Sequence, residues 1–139
     1  MSTRANIIIK DAYNTLYFYR HSDGYPSVAA NSLRQFLRWV IDGKIRSNAS
    51  QAAGWLILLG ADEYGSFINE GSPRWWKCGA YEPTTDIHGD VEFIYIIDLD
   101  RRAMSVYEYH DQFPQLFEMG KLGPALMVID ETNIDQEVK

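Results

Sequence analysis

The densest group of reactive side chains in the sequence is the segment 19–26, which reads YRHSDGYP. It places Arg20, His21 and Asp23 next to one another along the chain. A histidine and a carboxylate can act as a general base and its orienting partner, and an arginine can hold an anion. His88, in a second polar segment, is a further candidate. If the protein is an enzyme, we expect His21, Asp23 and His88 to carry the catalysis.

The same segment also has a purely structural explanation. Asp23 and Gly24 are typical turn residues, and glycine tolerates a positive φ. Tyr25 can pack against the core, and Pro26 suits the first turn of a helix. Because the N–H groups at a helix start are unpaired, an anion can also bind there. The sequence therefore leaves both roles open, a turn and a binding site.

The orientation of two side chains decides between these roles. Arg20 and His21 are consecutive at the end of a predicted strand, so they point to opposite faces of the sheet. If one of them lies in a cleft beside Arg4, the segment is a site. If both point to open solvent, the segment is only a turn.

Recognised catalytic and metal-binding motifs are absent from the sequence. It contains no Gly-x-Ser-x-Gly, His-Glu-x-x-His or phosphate-binding glycine loop. Cys78 is the single cysteine, so it forms no intramolecular disulfide and no cysteine-based metal cluster. The histidines and aspartates show no metal-ligand spacing that demands a metal. We therefore assign no catalytic residue and expect no metal and no cofactor.

The charge of the chain argues against direct binding to DNA. Its 139 residues carry a formal net charge of −6, with a pI near 4.9. Neutralising phosphates requires clustered basic residues, and we interpret the nearest cluster as a solvated helix face: Arg34, Arg38, Lys44 and Arg46. An acidic protein can instead bind a basic protein.

No signal-peptide pattern and no apolar segment of the ~20 residues that span a bilayer is present. We expect a cytoplasmic protein with a protein partner and no membrane contact.

Aromatic residues supply a second candidate surface. Trp75 and Trp76 are adjacent, and on a strand they would point to opposite faces, one into the core and one to solvent. Tyr81 follows shortly after them. Exposed aromatic side chains are typical of protein contacts and stacking platforms. The complete predicted binding set is Arg4, Arg20, His21, Asp23, Tyr25, Trp75, Trp76 and Tyr81.

Hydrophobic periodicity predicts an α+β fold in the order β-β-α-α-β-β-β. We expect a mainly antiparallel sheet of about five strands with two helices packed on one face. The predicted segments are strands 4–10, 16–20, 77–82, 91–98 and 103–109, helices 26–42 and from 48, and a short helix within 111–123. Apolar residues on both faces of 91–98 indicate a central strand. One domain should cover 1–129, and the acidic tail 130–139 should fray.

Two N-terminal motifs resemble those of a group of small phage and bacterial proteins. Met1 is followed by Ser2, Thr3 and Arg4, and 21–26 reads HSDGYP. Proteins of this group typically begin Met-(Ser/Gly)-Thr-Arg and carry His- or Gln-x-Asp-(Gly/Ser)-Tyr-Pro shortly afterwards. The resemblance implies a shared architecture in which the N-terminus meets this turn. It also suggests a buried ion pair between Arg4 and the aspartate of the turn, Asp23.

The residues and the resemblance leave three functions open. The leading prediction is a small soluble phage-type accessory protein that acts by binding in the host cytoplasm, as an inhibitor of a host defence or nucleic-acid-handling protein. The first alternative is a small nucleotide- or anion-binding protein or hydrolase with its site at the 20–26 turn. The second is a structural homodimer without catalytic activity.

Overall fold

A computed structural model describes residues 2–63 and 79–139 of the chain. Within these ranges the chain forms six strands and three helices. The elements in chain order are β1 (Ala5–Lys10), β2 (Thr15–Arg20), α1 (Pro26–Ile41), α2 (Ala49–Glu63), β3 (Glu82–Thr84), β4 (Phe93–Asp98), β5 (Ala103–Glu108), α3 (Phe113–Glu118) and β6 (Met127–Ile129).

The strands form one mixed sheet in the order β3-β2-β1-β4-β5-β6. β1 and β4 are parallel neighbours at its centre, and the other neighbouring pairs are antiparallel. The predicted α+β class is confirmed, whereas the five-stranded sheet with two helices is corrected to six strands and three helices. The direction of the β1–β4 pairing has no local sequence signal, and β6 is too short for its periodicity to be recognised.

The two central strands are buried on both faces. In β1, Ile7 and Ile9 pack with α1 and α2, whereas Ile8 packs in the opposite layer. In β4, Tyr95 belongs to the helix layer and Ile94 to the opposite one. A strand that is covered on both sides needs apolar residues at consecutive positions, and this explains the isoleucine runs. The predicted central position of 91–98 is confirmed.

Helix α1 supplies most of the layer on one face of the sheet. It begins at Pro26, where the missing N–H and fixed φ of proline are favourable. Its buried stripe follows helical spacing and comprises Ala29, Ala30, Leu33, Phe36, Leu37 and Val40.

Within the described parts of the chain, no helix combines the length and the apolar character needed to cross a membrane.

Helix α2 is fixed at its N-terminus by two side-chain acceptors. Asn48 caps the helix, because its Oδ1 accepts a hydrogen bond from the Gln51 N–H at 3.2 Å. Asp11, in the β1–β2 turn, accepts a second bond from the Ala49 N–H at 2.8 Å. Donation from three backbone N–H groups, Ala49 first, lowers the pKa of Asp11. The first hairpin is thereby tied to the start of α2.

The opposite layer is smaller and is built around α3, which confirms the short helix predicted within 111–123. Phe113 is buried, and its ring lies nearly parallel to that of Phe117 with centroids 6.3 Å apart. Tyr107 of β5 meets Phe113 edge-on at 5.5 Å. These aromatic contacts cover the sheet face that carries Ile8 and Ile94.

The acidic tail 130–139 lies against α1. Asn31 donates to the Val138 carbonyl and accepts from the Val138 N–H, both at 2.8 Å. Arg34 and Arg38 donate to the Ile134 carbonyl at 2.8 and 3.1 Å, and the Ile134 side chain is buried. The predicted solvated face of α1 is therefore, in part, the docking surface of the tail.

The N-terminus and the Asp23–Gly24 turn meet through their backbones. The Gly24 N–H donates to the Thr3 carbonyl at 2.9 Å, and the buried Tyr95 hydroxyl donates to the Gly24 carbonyl at 2.6 Å. Asp23, not Gly24, adopts the positive φ, at 57°. Glycine is needed for space instead, because a Cβ at position 24 would lie 2.9 Å from the Ala5 Cβ.

This crowding gives a stability prediction. Gly24→Ala places a methyl group 2.9 Å from the Ala5 Cβ and 3.0 Å from the backbone of Thr3. We expect it to lower the free energy of unfolding by about 1–3 kcal/mol, as measured by urea denaturation. The control is Gly123→Ala, which meets no atom within 4 Å and should change stability by less than about 1 kcal/mol. Equal effects of the two substitutions would contradict the proposed crowding.

Candidate functional site

Strand β2 ends by sending Arg20 and His21 to different environments. Arg20 is 0% exposed and lies in the helix layer. His21 is exposed and lies beside Arg4 in a surface cleft. The two side chains therefore point to opposite faces of the sheet, as predicted. Of the two, only His21 lies in a cleft beside Arg4, which is the condition stated above for a binding site.

The buried guanidinium of Arg20 is held by acceptors on several sides. Its Nε donates to the Ser22 carbonyl at 2.7 Å, and its Nη1 donates to Glu63 Oε1 at 3.0 Å. Its Nη2 bonds to the second oxygen of Glu63. Its Cζ lies 5.2 Å from the centre of the Tyr81 ring. Fork-like pairing of this kind offsets the cost of burying the charge, so Arg20 holds α2 onto the sheet.

Tyr81, which we expected to be an exposed aromatic residue, is buried. It is 3% exposed, and its hydroxyl lies 2.6 Å from the Ser32 hydroxyl of α1. Burial raises the pKa of Tyr81, so the phenol stays neutral. Tyr81 therefore belongs to the packing around Arg20. Trp75 and Trp76 lie outside the described residues, as does Cys78.

The predicted ion pair between Arg4 and Asp23 is not formed. Arg4 Nη1 lies 2.9 Å from Asp90 Oδ2 instead, and both side chains are about half exposed. The reason lies in the sheet, because β1 and β4 begin side by side and the Glu92 N–H donates to the Arg4 carbonyl at 2.9 Å. The N-terminus meets the turn through Thr3 and Gly24 and not through Asp23.

Asp90 is also bound by Tyr19, which connects it to two histidines. The Tyr19 hydroxyl donates to Asp90 Oδ2 at 2.9 Å. The Tyr19 ring is stacked on His88 with centroids 4.4 Å apart, and it meets His21 edge-on at 4.5 Å. Burial raises the pKa of Asp90, but the Tyr19 hydrogen bond and the Arg4 charge outweigh it, so this pKa lies below its ordinary value of 3.8. Asp90 is therefore an ionised acceptor in a fixed position.

Asn6 holds the segment that carries Asp90. It is a buried polar residue of β1, and its amide nitrogen donates to the His88 carbonyl at 3.0 Å. Its amide oxygen accepts from the His88 N–H at 3.2 Å. His88 Nε2 also lies 2.7 Å from the Thr84 hydroxyl. The Asn6 amide thus pairs with the backbone of His88 as a neighbouring strand would. The His88 ring already has a hydrogen-bond partner, the Thr84 hydroxyl.

Asp90 and Arg4 line a cleft of about 460 Å³, which we call the Asp90 cleft. Its lining consists of Ser2, Arg4, His21, Ser22, Asp90 and Glu92. His21 Nε2 lies 2.6 Å from Glu82 Oε2, and both side chains are exposed. With Glu82 included, three carboxylates stand against one arginine and one histidine. The cleft therefore favours ligands that carry positive charge or several hydrogen-bond donors.

The cleft does not contain the full set of residues proposed for catalysis. His88 and Asp23 are not among its lining residues, and Arg20 belongs to the helix layer. Tyr25 is part-exposed at the start of α1, where its carbonyl accepts bonds from two helical N–H groups.

Within residues 2–63 and 79–139, no group of three or more histidine, cysteine, aspartate or glutamate side chains is arranged to hold a metal.

The carboxylates of the cleft were not among the predicted site residues. Asp90 and Glu92 lie far from 19–26 along the chain, and Glu92 falls in the predicted strand 91–98. One available signal was Asn6, a polar residue directly before three isoleucines. A buried amide there requires partners, but the sequence does not say which.

Comparison with protein-family models, curated protein sequences and solved structures finds no match to this chain.

The buried pair gives the first prediction for this region. Glu63→Ala leaves Arg20 without its carboxylate and should lower the free energy of unfolding by about 3 kcal/mol. Asp62→Ala is the matched control, because it removes the neighbouring, exposed carboxylate of the same helix. We expect it to change stability by less than about 0.5 kcal/mol in chemical denaturation. Similar effects of both substitutions would show that Arg20 does not depend on Glu63.

The second prediction concerns the pKa of Asp90. We expect an NMR titration of its carboxyl carbon to show a midpoint below 3.8, and Tyr19→Phe should raise that midpoint because one hydrogen bond is lost. Since the folded pKa is depressed, Asp90 stabilises the fold above pH 3.8, and this contribution is lost as the pH falls through the folded pKa.

The control for this titration is Tyr13→Phe, which removes the hydroxyl of a fully exposed tyrosine in the first hairpin. It should leave the Asp90 midpoint unchanged. An Asp90 midpoint that is the same in wild type and Tyr19→Phe would contradict the role of this hydrogen bond.

Proposed function

We propose that this protein acts by binding, and that the Asp90 cleft receives a basic segment of a protein partner. The observation that carries the proposal is the excess of carboxylates in an open cleft that is already held in place. Asp90 is fixed by Arg4 and Tyr19, and the 84–90 segment is fixed by Asn6. A preorganised cleft costs less conformational entropy on binding than a flexible surface does.

Charge supports a cationic partner. Asp90 and Glu92 line the cleft, and Glu82 lies beside His21 at its edge. Among the described residues, Glu92 has no ion-pair partner, so it can accept an arginine or lysine side chain from outside. The net charge of −6 strengthens this preference at long range, because it attracts basic surfaces and increases the association rate.

The anion-binding and hydrolytic alternative has less support. The Gly24 N–H is taken by the Thr3 carbonyl, and Pro26 has no N–H to offer at the start of α1. The one cleft arginine, Arg4, already pairs with Asp90. His21 has a carboxylate partner, but His88 is bonded to Thr84 rather than directed at the same reacting atom. A phosphate group would meet more negative than positive charge in this cleft.

The resemblance of the N-terminal motifs supports a narrower proposal. A phage-type accessory protein of this charge would act in the host cytoplasm, on a defence protein or a protein that handles nucleic acid. Such proteins carry basic surfaces for phosphate groups, and an acidic cleft can occupy a surface of this kind. In this proposal the protein inhibits its partner by covering that surface and does not itself bind DNA.

Calorimetry with a synthetic oligo-arginine peptide tests the proposal. We expect the double variant Asp90→Asn/Glu92→Gln to bind about tenfold more weakly than wild type, a loss of about 1.4 kcal/mol. The control is Glu131→Gln/Glu137→Gln, which removes the same charge from exposed positions in the tail. It should retain nearly all of the affinity at physiological ionic strength, where distant surface charges are screened.

Two results would count against this function. Equal weakening by both double variants would mean that only the overall charge attracts the peptide. Binding of a nucleoside phosphate to the wild type, abolished by Arg4→Gln or His21→Gln, would favour the anion-binding alternative instead.

A further inference from the structure

A second cavity, of about 380 Å³, lies on the α3 side of the sheet, at the end where β1 and β4 finish. Lys10, the last residue of β1, lines it, and we call it the Lys10 cavity. Arg4, just before β1, lines the Asp90 cleft. The six residues of β1 separate the two sites by about 20 Å. The Lys10 cavity has the volume of a small-molecule site, and it can be filled independently of the Asp90 cleft.

Strands β4 and β5 form the floor of the Lys10 cavity, and α3 and the segment after it form one wall. Ile96 and Tyr107 lie on the floor, and Phe117 and Leu122 belong to the wall. Because α3 has only six residues, it ends before it covers this part of the sheet. The interior of the cavity is therefore apolar and partly aromatic.

The wall of the Lys10 cavity is fixed at both of its ends. Helix α3 ends in a Schellman-type turn, in which the Lys121 N–H donates to the Leu116 carbonyl at 2.9 Å. Gly120 has the positive φ, 67°, that this turn requires. Further along, the Leu126 N–H donates to the Val106 carbonyl at 2.8 Å and ties the segment to β5. The cavity is therefore formed before a ligand enters, which lowers the entropic cost of binding.

Two polar groups of the cavity have no partner within the protein. In the described part of the chain, the Lys10 ammonium forms no ion pair or hydrogen bond, and the Ser105 hydroxyl forms no hydrogen bond. Ser105 faces the cavity because its neighbours Met104 and Val106 pack in the helix layer on the other side of the sheet. An ammonium and a hydroxyl are therefore available as donors beside an apolar floor.

Asp98 supplies the carboxylate among the described residues that line the cavity, and its oxygens are already bound. Its Oδ1 accepts from the Asp100 and Arg101 N–H groups at 3.1 and 3.2 Å. Its Oδ2 lies 3.9 Å from Arg101 Nε. With Lys10 included, two cationic side chains stand against one carboxylate, which is the reverse of the Asp90 cleft. A cationic ligand would be repelled twice, whereas an anionic ligand meets an unpaired ammonium.

We propose that the Lys10 cavity binds a small aromatic carboxylate. The aromatic ring of the ligand lies on Ile96 against Phe117, where it replaces water on apolar surface. Its carboxylate pairs with the Lys10 ammonium, and the Ser105 hydroxyl is a second donor in the same cavity. The proposal does not rest on what the Asp90 cleft binds, since the carboxylates of that cleft repel an anion.

An NMR titration of the ¹⁵N-labelled full chain with 2-naphthoate tests the site. We expect saturable shifts of the amides at 96, 105, 107 and 117–122, and no shifts at 2–6 and 88–92 around the Asp90 cleft. A ligand with so few atoms should bind with a Kd on the order of millimolar. The control ligand is 2-naphthylmethylamine, which carries the same ring with the opposite charge. It should leave the amides of the Lys10 cavity unshifted.

Three substitutions separate the contributions of charge and space. Lys10→Gln should weaken 2-naphthoate binding about tenfold, or about 1.4 kcal/mol. Lys121→Gln is the matched control, because it removes an exposed cation beside Leu122 that does not line the cavity, and it should bind like wild type. Ser105→Leu fills the floor without removing a charge and should abolish binding. The amide spectrum and the melting temperature of each variant show that it is folded.

The absence of saturable shifts in the Lys10 cavity would overturn the proposal. Equal binding of the acid and the amine would also overturn it, because contact with apolar surface alone would then explain the shifts. Equal weakening by Lys10→Gln and Lys121→Gln would mean that only general charge attracts the acid. Each of these results leaves the Asp90 cleft untouched, since that site is tested with a basic peptide.

Discussion

The parallel pairing of β1 with β4 is the constraint on which the rest of the molecule depends. Ala5 is paired with Phe93, so the two strands begin side by side. The Glu92 N–H donates to the Arg4 carbonyl, and the pairing thereby extends beyond the strand ends. Two segments that are far apart in sequence, the N-terminus and 84–92, are brought together at the end of the sheet where the central strands β1 and β4 begin. The Asp90 cleft exists because of this junction.

The alternation of a β-strand explains why so many functional groups are concentrated in 19–26. His21 lines the cleft, and Tyr19 donates a hydrogen bond to Asp90 there. Arg20 points the other way and bonds to Glu63 of α2. Gly24 then packs against Ala5 near the N-terminus, where only glycine fits because a Cβ would clash. The segment is therefore a structural turn and part of a cleft at once, and its reactive side chains do not act on one centre.

The sequence predicted local structure well and long-range structure poorly. The first hairpin, α1, α2 and the central strand 91–98 have strong hydrophobic periodicity, and their predicted positions agree with the structure to within a few residues. The β1–β4 pairing, the Asn6–His88 contact and the partner of Arg4 all join residues more than eighty positions apart. Periodicity and propensity describe one segment at a time, so they cannot identify such partners. For the same reason 20–26 was found as a candidate site but Asp90 was not.

This acidic protein carries a preorganised anionic cleft on one side of its sheet and two helices, α1 and α2, on the other. Hydrogen–deuterium exchange of the full chain, with and without an oligo-arginine peptide, shows whether the peptide binds in the Asp90 cleft. We expect slower exchange on peptide binding in 2–6, 19–23 and 84–92, with α2 unchanged. Slower exchange confined to α2, or no change in these three segments under conditions in which the peptide binds, would contradict it.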